Sequence, residues 1–257
     1  MRSKKLMLVL VFSLVAVMWI FGGNILWAQE KKVYINGIDA DFPPFAYIDE
    51  EGNPAGYDVE CVEWIGKEVG FEVKTKPIAW DAIIDNLLAG KIDFIASGMT
   101  ITEEREKKVD FTIPYWEIDQ GVVVCEGSDL NIIAALSGKY TVGTQRGCTA
   151  AMWIEDHLVK EGTIGKDKLK LYESFSLAVM DLLNGRIDSA MMDDVMVKDA
   201  IKKGKPLKVI GIIKTGEIYG YAVRKEDKEL KRMLNEGLRR LMKSPKWDEL
   251  IDKYMVK

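Results

Sequence analysis

The chain has 257 residues, 48% of them hydrophobic and 30% charged, the balance of a soluble globular protein with a real core. Taking away residues 1–28 removes three of the 36 basic residues and no acidic one, leaving 33 Lys and Arg against 40 Asp and Glu, a formal charge of −7. That balance argues against nucleic acid or anionic lipid as a partner.

In chain order, Arg2, Lys4 and Lys5 precede an apolar run from Leu6 to Phe21, and Leu26-Trp27-Ala28 places a small residue before a plausible cut. This predicts a secretory signal peptide over residues 1–28, with an uncleaved anchor as the alternative because the run is long. No cysteine lies near it, so it lacks a lipobox. Val33 to Ile38 predicts a strand that ends in Asp39-Ala40-Asp41-Phe42-Pro43-Pro44-Phe45, where two prolines forbid a central strand. Asp58 to Val69 carries a helical apolar face closed by Gly70, Phe71 to Thr75 predicts a strand, and Trp80 to Leu88 predicts a helix stopped by Gly90. Lys91 to Ala96 is an apolar run of strand length, followed by Ser97-Gly98-Met99-Thr100. Thr100 and Glu103 have capping-box spacing and predict a helix start, whose free N–H groups, with the fork of Arg105, suit a small carboxylate.

Gln120 to Cys125 predicts a strand of high β-branched content, and the order then starts again. Tyr140 to Thr144 and Leu169 to Tyr172 predict strands, Gly147-Cys148-Thr149 opens a helix to about Val159, and Ile187 to Met192 is strand-like. Leu87-Leu88-Ala89-Gly90-Lys91-Ile92-Asp93 and Leu182-Leu183-Asn184-Gly185-Arg186-Ile187-Asp188 match at Leu, Leu, Gly, a base, Ile and Asp. Two α/β lobes of similar design account for the match. After Tyr219 to Arg224, a further strand, the helices Lys228 to Met242 and Lys246 to Tyr254 break the repeat and are expected to pack back on the first lobe.

Open parallel sheets bind ligands at the carboxyl ends of their strands. Those ends supply the Asp39–Phe42, Ser97–Thr100 and Gln145–Thr149 loops and Met192-Asp193-Asp194, so a cleft between the lobes is expected. Cys61, Cys125 and Cys148 are odd in number, widely spaced and without a CxxC pair, so a disulfide framework is not expected, though one bridge stays open. His157, the lone histidine, has no Cys or His at ligand spacing and no nucleophile motif nearby, so neither a metal site nor triad catalysis is expected, and no cofactor is called for.

Asp39 to Phe45, Gly56-Tyr57-Asp58-Val59, Trp80-Asp81-Ala82-Ile83-Ile84, Gly90-Lys91-Ile92-Asp93, Ser97 to Arg105 and Val109-Asp110-Phe111-Thr112-Ile113-Pro114-Tyr115 stand in an order and spacing that resemble the periplasmic polar amino-acid-binding proteins of ABC importers, extracellular solute-binding protein family 3. The likeness covers almost the whole chain after the leader. It implies an α/β, two-lobed periplasmic-binding-protein fold (type II) with lobe 1 at 29–117 plus 219–257 and lobe 2 at 118–218. It also implies that Arg105 takes the ligand α-carboxylate with Thr100 and Thr149, that Asp193 takes the α-ammonium with the Gly98 carbonyl, and that Phe42 and Trp80 sandwich the ligand side chain. Ser97 and Gln145 line the same loops. Asp39 and Asp58 match positions that approach the far end of long polar ligands, although Asp58 could cap a helix and Asp39 could orient the Pro-Pro turn.

The expected function is therefore capture of a free polar amino acid in the periplasm, arginine or lysine ahead of glutamine, and its delivery to an inner-membrane ABC permease by a monomer that closes about a hinge. The alternatives are an enzyme resembling cyclohexadienyl dehydratase and the ligand-sensing module of a receptor.

Overall fold

Two five-stranded mixed sheets of matching design make up the fold, which the computed structural model describes over residues 31–255; the predicted leader lies outside the described residues. The chain opens with β1 (Val33–Ile38) and a small antiparallel sheet of β2 (Asp41–Phe42), β3 (Ala46–Ile48) and β4 (Pro54–Ala55). Next come α1 (Tyr57–Val69), β5 (Glu72–Pro77), α2 (Ile83–Leu88), β6 (Phe94–Ile95), α3 (Glu103–Glu106) and β7 (Asp110–Phe111). The long β8 (Trp116–Cys125) then leads into α4 (Ile132–Ala135), β9 (Val142–Gln145), α5 (Thr149–Ile154), β10 (Leu169–Tyr172), α6 (Phe175–Leu183), β11 (Ser189–Asp193) and α7 (Asp194–Lys202). The equally long β12 (Leu207–Tyr219) returns to β13 (Ala222–Val223), α8 (Lys228–Leu241) and α9 (Pro245–Tyr254).

The first sheet has the order β5-β1-β6-β13-β7 and the second β10-β9-β11-β8-β12. In each, three parallel strands meet an antiparallel neighbour on the third: β13 on β6, and β8 on β11. The sequence repeat at Leu87–Asp93 and Leu182–Asp188 therefore marks one structural corner made twice, the helix end before the third parallel strand.

β8 and β12 pair with each other antiparallel along most of their length and form the ribbon that joins the two sheets. Ile213 pairs with Gln120, yet Ile118 pairs with Glu217 rather than with Thr215, so a bulge of two extra residues lies in β12. Gly216, at φ +60°, takes the left-handed turn there. Asp119 holds the bulge by accepting from the backbone N–H groups of Thr215 (3.0 Å) and Gly216 (3.2 Å) and pairing with Lys214 (2.6 Å).

α8 and α9 pack on α1 against the first sheet, as their amphipathic pattern requires. An aromatic cluster sits where the ribbon leaves that sheet. The Phe45 ring lies edge-on to Tyr219 (5.1 Å), Tyr57 (5.8 Å) and Trp116 (5.9 Å), and Tyr115 packs on Tyr221 at 4.7 Å. Such contacts fix ring orientation beyond simple burial, and they fix Tyr219, whose hydroxyl reaches the site described below.

Three local readings change. Trp80–Ala82 is a 3-10 turn, with the α-helix starting at Ile83. The helix opened at Thr149 ends at Ile154 and continues as a π-helical turn over Glu155–Val159. The helix cap is Thr102, whose hydroxyl accepts from Arg105 N at 3.2 Å; Thr100 instead bridges Tyr219. Both hydroxyls fit a cap by type, and the pull of the Tyr219 strand on Thr100 decides between them. Cys61, Cys125 and Cys148 are free thiols.

Candidate functional site

The carboxyl ends of β1, β6, β9 and β11 bring four loops to one place between the sheets. From β1, Asp39 is buried; its N–H donates to Ser97 Oγ after β6 (2.9 Å), and its Oδ2 accepts from Gln145 Nε2 at the end of β9 (2.7 Å). Burial pushes the Asp39 carboxyl above its ordinary value, opposed by the Gln145 hydrogen bond. Phe42 lies over Gly98, which adopts φ +56°; a Cβ added there would collide with the Phe42 ring, so the close approach requires glycine.

Arg105 is 4% exposed. Its Nη1 donates to the Thr100 carbonyl (2.8 Å) and its Nη2 to the Gly147 carbonyl (3.1 Å), so it touches loops of both sheets. Its guanidinium lies 5.3 Å from the Trp80 ring centre, in cation–π range. Among the described residues it has no carboxylate at salt-bridge distance. Burial pulls its pKa down, and the nearby negative groups Asp193 and Glu217 oppose that only in part.

Asp193, at the end of β11, is likewise buried. Its Oδ1 accepts from Gln120 Nε2 (2.7 Å) and its Oδ2 from the Tyr219 hydroxyl in a very short bond. Burial, then the Glu217 charge, raise its pKa to about 7, against the Tyr219 and Gln120 hydrogen bonds and the more distant Arg105. Gln120 Nε2 also reaches Thr149 Oγ1 (3.3 Å) and Glu217 Oε1 (3.0 Å), while Thr100 Oγ1 donates to Glu217 Oε2 (3.1 Å). Cys148 caps α5 with its sulfur, which accepts from Ala151 N, and burial keeps it a thiol.

Asp58 is placed away from this cluster. It is fully buried at the start of α1, where its Oδ2 accepts from Gly98 N (2.7 Å) and the Tyr115 hydroxyl (2.8 Å), and its pKa is raised to about 7 by burial. Its position suits holding the Gly98 peptide rather than reaching along a ligand side chain. Asp41 faces the second sheet, accepting from Ser176 N (3.1 Å) and Ser176 Oγ (2.6 Å).

Reading the sequence alone passes over Gln120, Glu217 and Tyr219. Their convergence depends on strand pairing: Asp193 opposite Gln120, and Glu217 opposite Ile118 two residues along the same strand. The one signal in the chain is a Glu-x-Tyr alternation that puts both side chains on one face of β12.

Buried opposite charges near the strand ends of two like sheets, with a two-stranded ribbon between those sheets, fit a two-lobed solute-binding protein. Residues 34–257 match the model of the bacterial extracellular solute-binding proteins, family 3, and the chain belongs to that family. It is similar to the L-arginine-binding protein of Pseudomonas aeruginosa, 36% identical over 89% of each chain, and to a probable histidine-binding protein of Neisseria gonorrhoeae, 32% identical over 90% of this chain and 85% of that one. Among solved structures, an ancestral arginine-binding protein bound to arginine superposes with a TM-score of 0.81 at 35% identity, covering 88% of this chain and 99% of the other.

Proposed function

We propose that this protein captures a free, long, donor-bearing amino acid in the periplasm and presents it to an inner-membrane ABC permease. The observation that carries the reading is the pair of buried charges, Arg105 and Asp193, that do not pair with each other. A buried ion without a partner costs several kcal/mol or neutralises. A zwitterion placed between them satisfies both at once, its carboxylate on Arg105 with the Thr100 and Thr149 loops and its ammonium on Asp193. Phe42 and Trp80 cover the stem, and the lobes, with limits near 117/118 and 218/219, close about the β8–β12 ribbon.

Asp39 extends this to the side chain. Its carboxylate already accepts an amide hydrogen from Gln145 of the other lobe, the bond that an arginine guanidinium, a lysine ammonium or a glutamine amide would make. The two relatives, one named an L-arginine-binding protein and the other a probable histidine-binding protein, agree with a side chain that donates hydrogen bonds. On this reading the chain is a binder rather than an enzyme.

A thermal-shift screen of the twenty amino acids with ornithine, citrulline and cystine tests it. A ligand at a thousand times its dissociation constant adds about 4 kcal/mol to stability, so a cationic amino acid is expected to raise the melting temperature clearly. No shift with any of them would remove the proposal.

A further inference from the structure

Gln120, Asp193, Thr149 and Glu217 form a cluster whose donor count does not balance. Three acceptors lie around Gln120 Nε2: Asp193 Oδ1 at 2.7 Å, Glu217 Oε1 at 3.0 Å and Thr149 Oγ1 at 3.3 Å. A carboxamide nitrogen carries two hydrogens, whereas an ammonium carries three. The carbonyl end of the same amide, Gln120 Oε1, is buried without a hydrogen-bond partner. The amide is thus turned to serve the carboxylates at the expense of its own oxygen, which is left buried and unpaired, an unfavourable state for a polar atom.

The placement of Glu217 is a product of the hinge. Carried on from the Ile213–Gln120 pair, the β-ladder would set Thr215 opposite Ile118; the bulge sets Glu217 there instead. Its second oxygen is fixed by the Thr100 hydroxyl from the first lobe, so the carboxylate is held towards the site. Asp193 and Glu217 repel each other, and Arg105 stands beyond ion-pair distance of either. A cation between the two carboxylates relieves that repulsion.

We infer that Glu217 is a second acidic contact for the α-ammonium of the bound amino acid, beside Asp193, and that it makes the site selective for intact α-amino acids over their des-amino counterparts; the inference rests on the amino-acid reading above. The Gln120 amide marks the ammonium locus and moves aside or shares it.

The test pairs a substitution with a ligand deletion. Calorimetric titrations with arginine and with 5-guanidinopentanoate, which is arginine without its α-amino group, are run on the unsubstituted chain and on Glu217→Gln. Where lysine binds more tightly, lysine and 6-aminohexanoate take their place. Glu217→Gln is expected to weaken arginine by about tenfold or more and the des-amino acid by less than about threefold, a difference of roughly 0.7 kcal/mol or more. Glu217→Ala serves as a second variant and is expected to give the same split. Equal losses for both ligands would mean that Glu217 acts only by positioning Thr100, and would overturn the inference, as would unchanged arginine affinity. Failure of the unsubstituted chain to bind any amino acid would instead remove the amino-acid reading, and this inference with it.

Discussion

At the scale of single residues, the proposed recognition rests on Arg105 and Asp193, and their removal is the most direct mutational probe. Arg105→Ala and Asp193→Ala should each cost roughly 2–5 kcal/mol of binding, because each deletes one partner of a desolvated, hydrogen-bonded ion contact. Calorimetry on folded variants checks this; a loss under about tenfold in both, about 1.4 kcal/mol, would count against it. The pH dependence of affinity follows from Asp193. Burial, then the Glu217 charge, hold its carboxyl up at about 7, and a ligand ammonium would lower that value. Binding near pH 7 should therefore release a proton, and affinity should fall by up to about tenfold per pH unit as pH drops below 7. Titrations in buffers of different ionisation enthalpy detect the proton; no buffer dependence at pH 7 would show that Asp193 does not change its charge on binding.

Asp39 and Thr100 follow strands in loops, Asp193 ends β11 and Arg105 lies on the short helix α3 beyond the Ser97–Thr100 loop; all four are legible in the chain because polar residues at or beyond strand ends announce themselves by type. Gln120, Glu217 and Tyr219 are hidden because each sits inside a strand, where a polar side chain acquires meaning only from its cross-strand neighbour. Asp58 is misleading for a related reason. An acid at a helix start looks like a cap or a ligand contact, whereas here its partner is Gly98, 40 positions away.

At the scale of elements, the repeated helix-to-strand corner makes the two sheets readable, while the bulge in β12 leaves no periodic trace. Asp119 is the residue on which that bulge depends. Asp119→Ala strips the acceptor from the Thr215 and Gly216 N–H groups and should cost about 1–2 kcal/mol, which lowers the melting temperature of a domain this size by roughly 2–8 °C. Thermal unfolding by circular dichroism reads the shift; a melting temperature unchanged within about 1 °C would mean the bulge holds itself through its backbone alone. Asp58 and Asp193 also set a stability gradient. Both have folded-state pKa values of about 7, above their ordinary range, so between about pH 4 and 7 the folded chain holds protons that the unfolded chain has released. Stability without added amino acid should consequently fall as pH rises through that window. Melting temperatures from pH 5 to 8 check the sign, and a rise across this range would contradict the assignment of both groups.

At the scale of the whole molecule, the lobes meet through Asp39–Gln145, Asp41–Ser176, Arg105–Gly147 and the exposed Arg146–Asp81 pair at 3.6 Å. Every one of these contacts joins a residue of the segments around the first sheet to one of those around the second, so opening the ribbon breaks them together and ligand contacts can replace them. Hinge closure predicts a smaller radius of gyration by small-angle scattering when amino acid is added, and identical curves at saturation would mean a rigid cleft.

Titration calorimetry shows whether a buried arginine and a buried aspartate on opposite lobes hold a free amino acid with a donor-bearing side chain. Protein unfolded, washed and refolded to strip any retained ligand is titrated with arginine, lysine, glutamine, glutamate and aspartate in turn. Saturable one-to-one binding is expected, with arginine or lysine tightest and glutamate and aspartate weaker by roughly several kcal/mol, the cost of setting like charges against Asp39 in a closed cleft. Tighter binding of glutamate or aspartate than of the other three, or no binding of any, would contradict it.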